Sequence, residues 1–239
     1  MTMKRLKIDH LHTYDAITSN QQIAYEAFKD GDHLVLCGSA GTGKTFVGMY
    51  LALQDVLDKS YDQEKLVIVR SVVPTREMGF LPGSVEEKIA TYVAPYKSIA
   101  TELFNEKMAY ENLEQQGIIE FVSTSFIRGT TLDNCIVLVD EMQNLTFHEL
   151  DSIITRVGKN SRIIFSGDYY QSDLKSSSDK KGILDFMNIM EVMNHFTTVE
   201  FGWADIVRSN FVRDYIMTKE MVERGNIKSS STDKLYSFR

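Results

Sequence analysis

The residues most clearly able to do chemistry lie between positions 38 and 45, where the sequence runs GSAGTGKT. This pattern, after an apolar run and before a helix-forming run, is typical of a phosphate-binding loop. Such a loop turns backbone N–H groups toward a phosphate, and the helix N-terminus adds positive partial charge. Lys44 is expected to bridge the β- and γ-phosphates, and the Thr45 hydroxyl to bind Mg²⁺. The predicted nucleotide-binding residues of this loop are Gly38, Ser39, Ala40, Gly41, Thr42, Gly43, Lys44 and Thr45.

A pair of carboxylates, Asp140 and Glu141, follows the four apolar residues 136–139. This order predicts a buried strand whose acidic side chains emerge at its carboxyl end, beside a nucleotide crevice. Asp140 is expected to hold Mg²⁺, directly or through a water, and Glu141 to orient and deprotonate an attacking water. The same pattern is also typical of a strand capped by solvated acids. The phosphate loop is what favours the chemical interpretation.

A third polar turn, GDYYQ, follows another short apolar run at residues 162–165. We predict that this run forms a strand next to the one that leads into the phosphate loop. Gln171 is neutral and short enough to contact a γ-phosphate or an attacking water without repelling either. We therefore predict that it senses the γ-phosphate, although ordinary turns share the spacing.

Six apolar runs of strand length alternate with helical patterns along most of the chain. The predicted strands are residues 33–37, 66–70, 118–122, 135–139, 162–165 and 197–201. The predicted helices are residues 21–29 (after a cap at Ser19 and Asn20), 44–57, 85–96 continuing toward 116, 146–157, 181–194 and 205–224. Continuously apolar strands that alternate with helices indicate an α/β fold, a mostly parallel sheet with helices on both faces. We expect an N-terminal extension at 1–18, one domain at 19–224 and a flexible tail at 225–239.

The composition excludes several classes of protein. With 239 residues, 43% hydrophobic and 25% charged, the chain is suited to one substantial globular domain. Its net charge of −7 argues against a strongly basic protein that coats nucleic acid. Both cysteines lie in apolar runs, which indicates buried thiols in a reducing compartment. No apolar run approaches the roughly 20 residues of a membrane span, and the N-terminus lacks a secretory apolar core. We expect a cytoplasmic protein that has no membrane partner.

Together the phosphate loop, the acidic pair and GDYYQ resemble the motifs of superfamily-one helicases. The finer pattern resembles the PhoH family of phosphate-loop ATPases from about residue 18 to residue 219. The segments EMGFLPG and FIRGTTL are the most specific part of this resemblance. The other matching segments are NQ at 20–21, VRSVVP at 69–74 and DIVRS at 205–209.

The resemblance implies a RecA-like phosphate-loop NTPase fold, with ATP and Mg²⁺ as cofactors and ATP hydrolysis as the activity. It also implies action on nucleic acid, single-stranded RNA or DNA, with RNA favoured. The compact length is similar to phage-encoded members, for which the location is the host cytoplasm. Gln21 resembles the adenine-recognising glutamine of this helicase class, and the adjacent Gln22 is the alternative.

We expect one residue of the ATP site, an arginine, to come from a neighbouring subunit. Helicases of superfamily one bind ATP between two sheets, whereas the strand count here provides one sheet. A neighbouring subunit can supply the arginine that stabilises charge on the transferring phosphoryl group, and head-to-tail contacts that close form a ring. The resemblance implies a hexamer. Arg208, in the DIVRS segment, is the first candidate for that arginine, and Arg128 and Arg70 are the alternatives.

Two other functions compete with a nucleic-acid motor. The first is a nucleotide-gated binding module that hydrolyses ATP slowly and does not unwind nucleic acid. The second is a small-molecule kinase. The pair Asp140 and Glu141 argues against it, because kinases of this fold must exclude water and seldom place a glutamate ready to activate it. Stimulation of ATP hydrolysis by single-stranded nucleic acid separates the motor from the module.

Overall fold

A six-stranded parallel sheet forms the centre of the computed structural model, which describes residues 4–72, 85–127, 129–168 and 177–223. The strands are β1 (His33–Gly38), β2 (Lys65–Arg70), β3 (Ile119–Ser123), β4 (Cys135–Val139), β5 (Arg162–Gly167) and β6 (Phe196–Phe201). They are hydrogen-bonded in the order β3-β2-β4-β5-β1-β6, and every neighbouring pair is parallel. The parallel α/β fold predicted from the sequence is confirmed. So is the expected adjacency of β5 to β1.

Helices cover both faces of the sheet. They are α1 (Ser19–Lys29), α2 (Lys44–Leu57), α3 (Val85–Phe104), α4 (Ala109–Gln115), α5 (Phe147–Ile154), α6 (Ser177–Val192) and α7 (Asn210–Glu223). Alternate residues of β1 explain why both faces need cover. Leu34 and Leu36 belong to the buried cluster with α1 to α4, whereas Val35 and Cys37 belong to the cluster with α5 and α6. The four inner strands β1, β2, β4 and β5 are therefore buried along most of their length, as doubly covered parallel strands are, whereas the edge strands β3 and β6 carry exposed residues such as Glu120 and Glu200.

The strand order reverses direction at β4, and this reversal produces the two layers. From β1 the chain moves through α2 to β2 and through α3 and α4 to β3, all in one direction. It then returns in the opposite direction through β4, α5 and β5, and α6 leads past β1 to β6 on its other side. Because parallel crossovers are right-handed, opposite directions of travel put the helices on opposite faces. Ligands of such sheets bind at the carboxyl ends of the strands near the reversal.

Several boundaries differ from the sequence expectations. Helix α1 is capped by Thr18, whose side chain accepts a hydrogen bond from the Gln21 N–H, rather than by Ser19 or Asn20. The helix predicted to continue toward residue 116 ends at Phe104, where Asn105 adopts a φ of 47°, and α4 begins at Ala109. The final helix begins at Asn210 rather than 205.

Residues 4–18 pack on the domain along their length. The Leu6 side chain is buried in the cluster with α1 to α4. The His12 N–H donates to the Leu103 carbonyl, and the Tyr14 hydroxyl donates to the Glu102 carbonyl at 3.0 Å. The tail at 225–239 lies outside the described residues, and the proposed domain boundaries stay predictions. Among the residues that are described, no helix is long and apolar enough to cross a membrane.

Candidate nucleotide-binding site

The phosphate loop leaves β1 at Gly38 and enters α2 at Lys44. Gly38 has a φ of 116°, and a Cβ at this position would overlap the carbonyl oxygen of Phe201 on β6. The buried Lys44 ammonium donates to the carbonyl oxygens of Gly38 at 2.9 Å and Ser39 at 2.7 Å. Burial lowers the pKa of Lys44, while the carboxylates of Asp168 and Glu141 act in the opposite direction. The loop thus holds its lysine inside the turn that the glycines permit.

Asp140 brings the end of β4 to the loop. Its Oδ1 accepts a hydrogen bond of 2.9 Å from the Thr45 hydroxyl, and its Oδ2 accepts one of 2.8 Å from the Tyr96 hydroxyl. Asp140 and Tyr96 are both buried, and burial followed by the charge of Asp140 raises the pKa of Tyr96. Tyr96 therefore remains a neutral hydrogen-bond donor to the carboxylate.

Thr45 and Asp140 also fit a magnesium ion chemically. Both offer hard oxygen ligands, and their oxygens face each other across 2.9 Å at one edge of the sheet. Mg²⁺ in nucleotide enzymes is commonly held by one or two protein oxygens together with substrate phosphates. The two residues predicted as metal ligands are thus brought together.

Glu141 adopts the left-handed backbone conformation, with a φ of 53°. This is uncommon for a residue with a side chain and is often found at functional sites. Its carboxylate accepts a hydrogen bond of 2.6 Å from the Gln143 amide. Burial and then the neighbouring Asp140 raise the pKa of Glu141, while Arg70 and the Gln143 hydrogen bond act to lower it. A raised pKa favours a carboxylate that can accept a proton near neutral pH.

Two arginines lie at the same cavity, and both belong to this chain. Arg70, at the end of β2, lines the cavity with Asp140 and Glu141, and its guanidinium is 5.6 Å from the centre of the Tyr92 ring. Arg208 lies against the phosphate loop: a Cβ at Gly41 would be 3.0 Å from its Cγ. We expected Arg208 to act from a neighbouring subunit, whereas the structure has it beside the loop of its own chain.

The segment from Trp203 through α7 covers one side of the loop. The Val207 N–H donates to the Gly41 carbonyl at 3.1 Å. The buried Glu220 carboxylate accepts hydrogen bonds from the Ser39 hydroxyl at 3.1 Å and from the Trp203 indole N–H at 2.7 Å. These contacts explain why Arg208 reaches the loop in cis.

Gln21 is buried beside the loop and lines the cavity. Its amide oxygen accepts from the Ile17 N–H at 2.9 Å, and its amide nitrogen donates to the Thr42 carbonyl at 3.4 Å. Gln22, the alternative, is exposed and donates to Glu26 at 2.7 Å. Gln21 is the one of the two that lines the cavity. Its role in base recognition stays a prediction.

The cavity of about 1300 Å³ joins these parts at the carboxyl edge of the sheet. It brings together loop residues 40–45 with Asp140, Glu141 and Arg208, whereas Gly38 and Ser39 of the predicted loop do not line it. The side of the cavity at Gln21 also carries Tyr14, Phe46 and Ile99. Gln171 and Arg128 lie outside the described residues, so their predicted roles are not tested.

Sequence reasoning missed three contact residues of the site. They are Tyr96, Gln143 and Glu220, which bind Asp140, Glu141 and Ser39 respectively. A usable signal existed only for Gln143, because it lies two positions after Glu141 in a polar turn. Tyr96 and Glu220 lie in amphipathic helices, where nothing local distinguishes them from other residues.

Comparison with known sequences decides the family. The sequence model described as PhoH-like protein matches residues 14–220 of this chain. The chain belongs to the PhoH family. It is 33% identical to a PhoH-like protein of Synechocystis over 209 residues, covering 87% of this chain and 62% of the relative. It is 32% identical to protein PhoH of Escherichia coli over 201 residues, covering 83% of this chain and 53% of the relative.

The chain of this PhoH-family protein thus spans between half and two thirds of the length of these curated relatives. Its sheet and loop form the RecA-like phosphate-loop NTPase fold predicted from the sequence. Among solved structures it is similar to the large terminase of a thermophilic bacteriophage in complex with ADP. The TM-score is 0.48 at 13% identity, and the match covers 84% of this chain and 49% of the terminase chain.

Proposed function

We propose that this PhoH-family protein binds ATP with Mg²⁺ and hydrolyses it by direct attack of water on the γ-phosphate. The observation that carries the proposal is the 2.9 Å hydrogen bond between Thr45 and Asp140. It joins the two predicted magnesium ligands beside the half-buried Glu141, at the mouth of a phosphate loop.

The residues divide the reaction between them. Glu141 takes a proton from the attacking water while the oxygen of that water bonds to the γ-phosphorus. At the same time the bond from the γ-phosphorus to the β–γ bridging oxygen breaks. Lys44 and the loop N–H groups stabilise the negative charge that accumulates on the leaving phosphate. When bound, Mg²⁺ supplies further positive charge to the phosphate oxygens. Thr45 and Asp140 would hold it.

Arg208 is proposed to stabilise charge on the transferring phosphoryl group. Its contact with Gly41 supports action on the nucleotide of its own chain, rather than on that of a neighbour. A hexameric ring remains our proposal on the strength of the family resemblance. With Arg208 acting in cis, the reaction needs no arginine from the adjacent subunit. A ring would then form for reasons other than completing the ATPase site.

The hydrolysis is proposed to be coupled to single-stranded nucleic acid, RNA rather than DNA. A steady-state ATPase assay with no nucleic acid, with single-stranded RNA and with single-stranded DNA of matched sequence tests this. We expect the largest increase in kcat with RNA. Equal stimulation by both would overturn the preference, and stimulation by neither would overturn the coupling.

A nucleotide-gated binding module is the second candidate. It is favoured by the hydrogen bond between Ser39 of the loop and Glu220 of α7, since this bond links the nucleotide site to a helix with exposed apolar side chains. In that case kcat stays low with either nucleic acid. Binding of RNA then differs between the ATP-loaded and ADP-loaded protein, which fluorescence anisotropy of a labelled RNA measures.

A further inference from the structure

The side chain of Gln143 joins the ends of two neighbouring strands. Its amide nitrogen donates to Oε2 of Glu141, just after β4, at 2.6 Å. Its amide oxygen accepts from the backbone N–H of Asp168, just after β5, at 3.0 Å. Gln143 is 6% exposed, so these bonds are made away from solvent.

The Asp168 backbone fixes which way the Gln143 amide points. A backbone N–H can only donate, so the atom that faces it must be the amide oxygen. The amide NH₂ group must then face Glu141, where the carboxylate is an acceptor. The orientation follows from chemistry and not from the similar shapes of the two amide ends.

The neighbouring strand is shaped around this amide. A Cβ at Gly167, the last residue of β5, would overlap Oε1 of Gln143 and would lie 2.9 Å from Cγ of Met142. Glycine is therefore the residue that lets β5 approach the turn closely enough for the Asp168 N–H to reach the amide.

We infer that Gln143 is a positioning residue for hydrolysis: it holds the carboxylate of Glu141 in a fixed orientation relative to the end of β5. The inference rests on the proposed function, because it assigns Gln143 a role only if Glu141 is the general base. Glu141 has a left-handed backbone, and its side chain lines the cavity. A charge-assisted hydrogen bond is about twice as strong as a neutral one and is directional.

Gln143→Met tests the inference, since methionine has a similar length and no amide. We expect kcat to fall by roughly 10-fold or more, in the range of misplaced catalytic groups. KM and the affinity for a fluorescent ADP analogue should stay within about twofold, because Gln143 is not a loop residue. Gln116→Met is the matched control: its amide also makes one short hydrogen bond, 2.7 Å to the Asn112 carbonyl, but lies at the end of α4.

A double-mutant cycle separates positioning from packing. If Gln143 acts through Glu141, single-turnover hydrolysis by Glu141→Gln/Gln143→Met is as slow as that by Glu141→Gln alone. A further loss in the double variant, or an unchanged kcat for Gln143→Met, overturns the inference. If Gln143→Met does not fold, Gln143→Glu replaces it. That variant keeps an acceptor for Asp168 but presents a carboxylate to Glu141, so the same loss of kcat is expected.

The failure of the inference and that of the proposed function give different results. If Glu141→Gln hydrolyses ATP at the wild-type rate, the assignment of the base is wrong, and the role of Gln143 is overturned with it. If Glu141→Gln is inactive while Gln143→Met has wild-type kcat, the proposed base stands and the positioning role alone is overturned.

Discussion

Tyr96 and Tyr110 are two buried tyrosines on the same side of the sheet, and their hydroxyls have different surroundings. The Tyr96 hydroxyl donates to Asp140 at 2.8 Å. The Tyr110 hydroxyl is buried without a hydrogen-bond partner among the described residues. Changing each to phenylalanine removes one buried hydroxyl oxygen. The difference between the two variants therefore measures the hydrogen bonds of the Tyr96 hydroxyl, of which the one to the buried Asp140 carboxylate is the main one.

A hydrogen bond to a charged group contributes about 1.5–3 kcal/mol to stability. Because Asp140 is only 4% exposed, water cannot easily replace the lost donor. Tyr96→Phe should therefore lower the free energy of unfolding by about 1.5–3 kcal/mol relative to Tyr110→Phe. For a domain of this size each kcal/mol lowers Tm by roughly 2–4 °C, so the difference in Tm should be about 3–12 °C.

Thermal and urea unfolding followed by circular dichroism measure this difference. Tyr110→Phe should be neutral or slightly stabilising, since a buried hydroxyl without a partner costs free energy in the folded state. Tyr96→Phe should also raise the Mg²⁺ concentration that gives half-maximal ATPase activity, because Asp140 loses its fixed orientation. Equal Tm values for the two variants would refute the reasoning.

The loop, the general base and the arginine each give a further prediction. Gly38→Ala should lower the free energy of unfolding by more than about 1 kcal/mol. The loss should exceed that of Gly31→Ala, where φ is also positive but a Cβ meets nothing within 4 Å. Urea unfolding of both variants measures the two losses, and equal losses contradict the prediction. Burial and Asp140 raise the pKa of Glu141, and only the ionised carboxylate accepts a proton. As the pH is lowered, kcat should therefore begin to fall at a pH above about 4.3, the pKa of an exposed glutamate, and a midpoint at or below that value in the pH profile of kcat contradicts this. Arg208→Ala should lower kcat by roughly 10-fold or more while ADP affinity is retained. Because Arg208 is proposed to act in cis, mixing Arg208→Ala chains with Glu141→Gln chains should restore no ATPase activity, and recovery of activity would show that Arg208 acts between subunits.

The inner strands were predictable because they are covered on both faces and therefore appear in the sequence as nearly continuous apolar runs. The phosphate loop and the acidic pair were also predictable, because their chemistry depends on neighbouring residues in the sequence. The break after α3 was not: Asn105 ends the helix by a left-handed backbone, whereas Pro95 lies inside the same helix without ending it.

Contacts between distant residues account for what the sequence does not reveal of the site. The position of Arg208 depends on α7 lying against the loop, through a hydrogen bond between Ser39 and Glu220, which are 181 residues apart. The start of α7 was misplaced for a similar reason. Asp205 does not begin a helix there, because its carboxylate accepts from the Asn20 side chain and the Gly202 N–H, both at 2.8 Å.

Single-turnover hydrolysis of Mg²⁺-ATP by wild type and Glu141→Gln tests the central claim most directly. The glutamine keeps the size and hydrogen-bonding ability of the side chain but cannot accept the proton of the attacking water. We predict that ATP affinity, measured in the same preparations, is retained and that the hydrolysis rate falls by about 10²-fold or more. An unchanged rate at full nucleotide occupancy would contradict this and would reduce Glu141 to a structural acid at the end of β4.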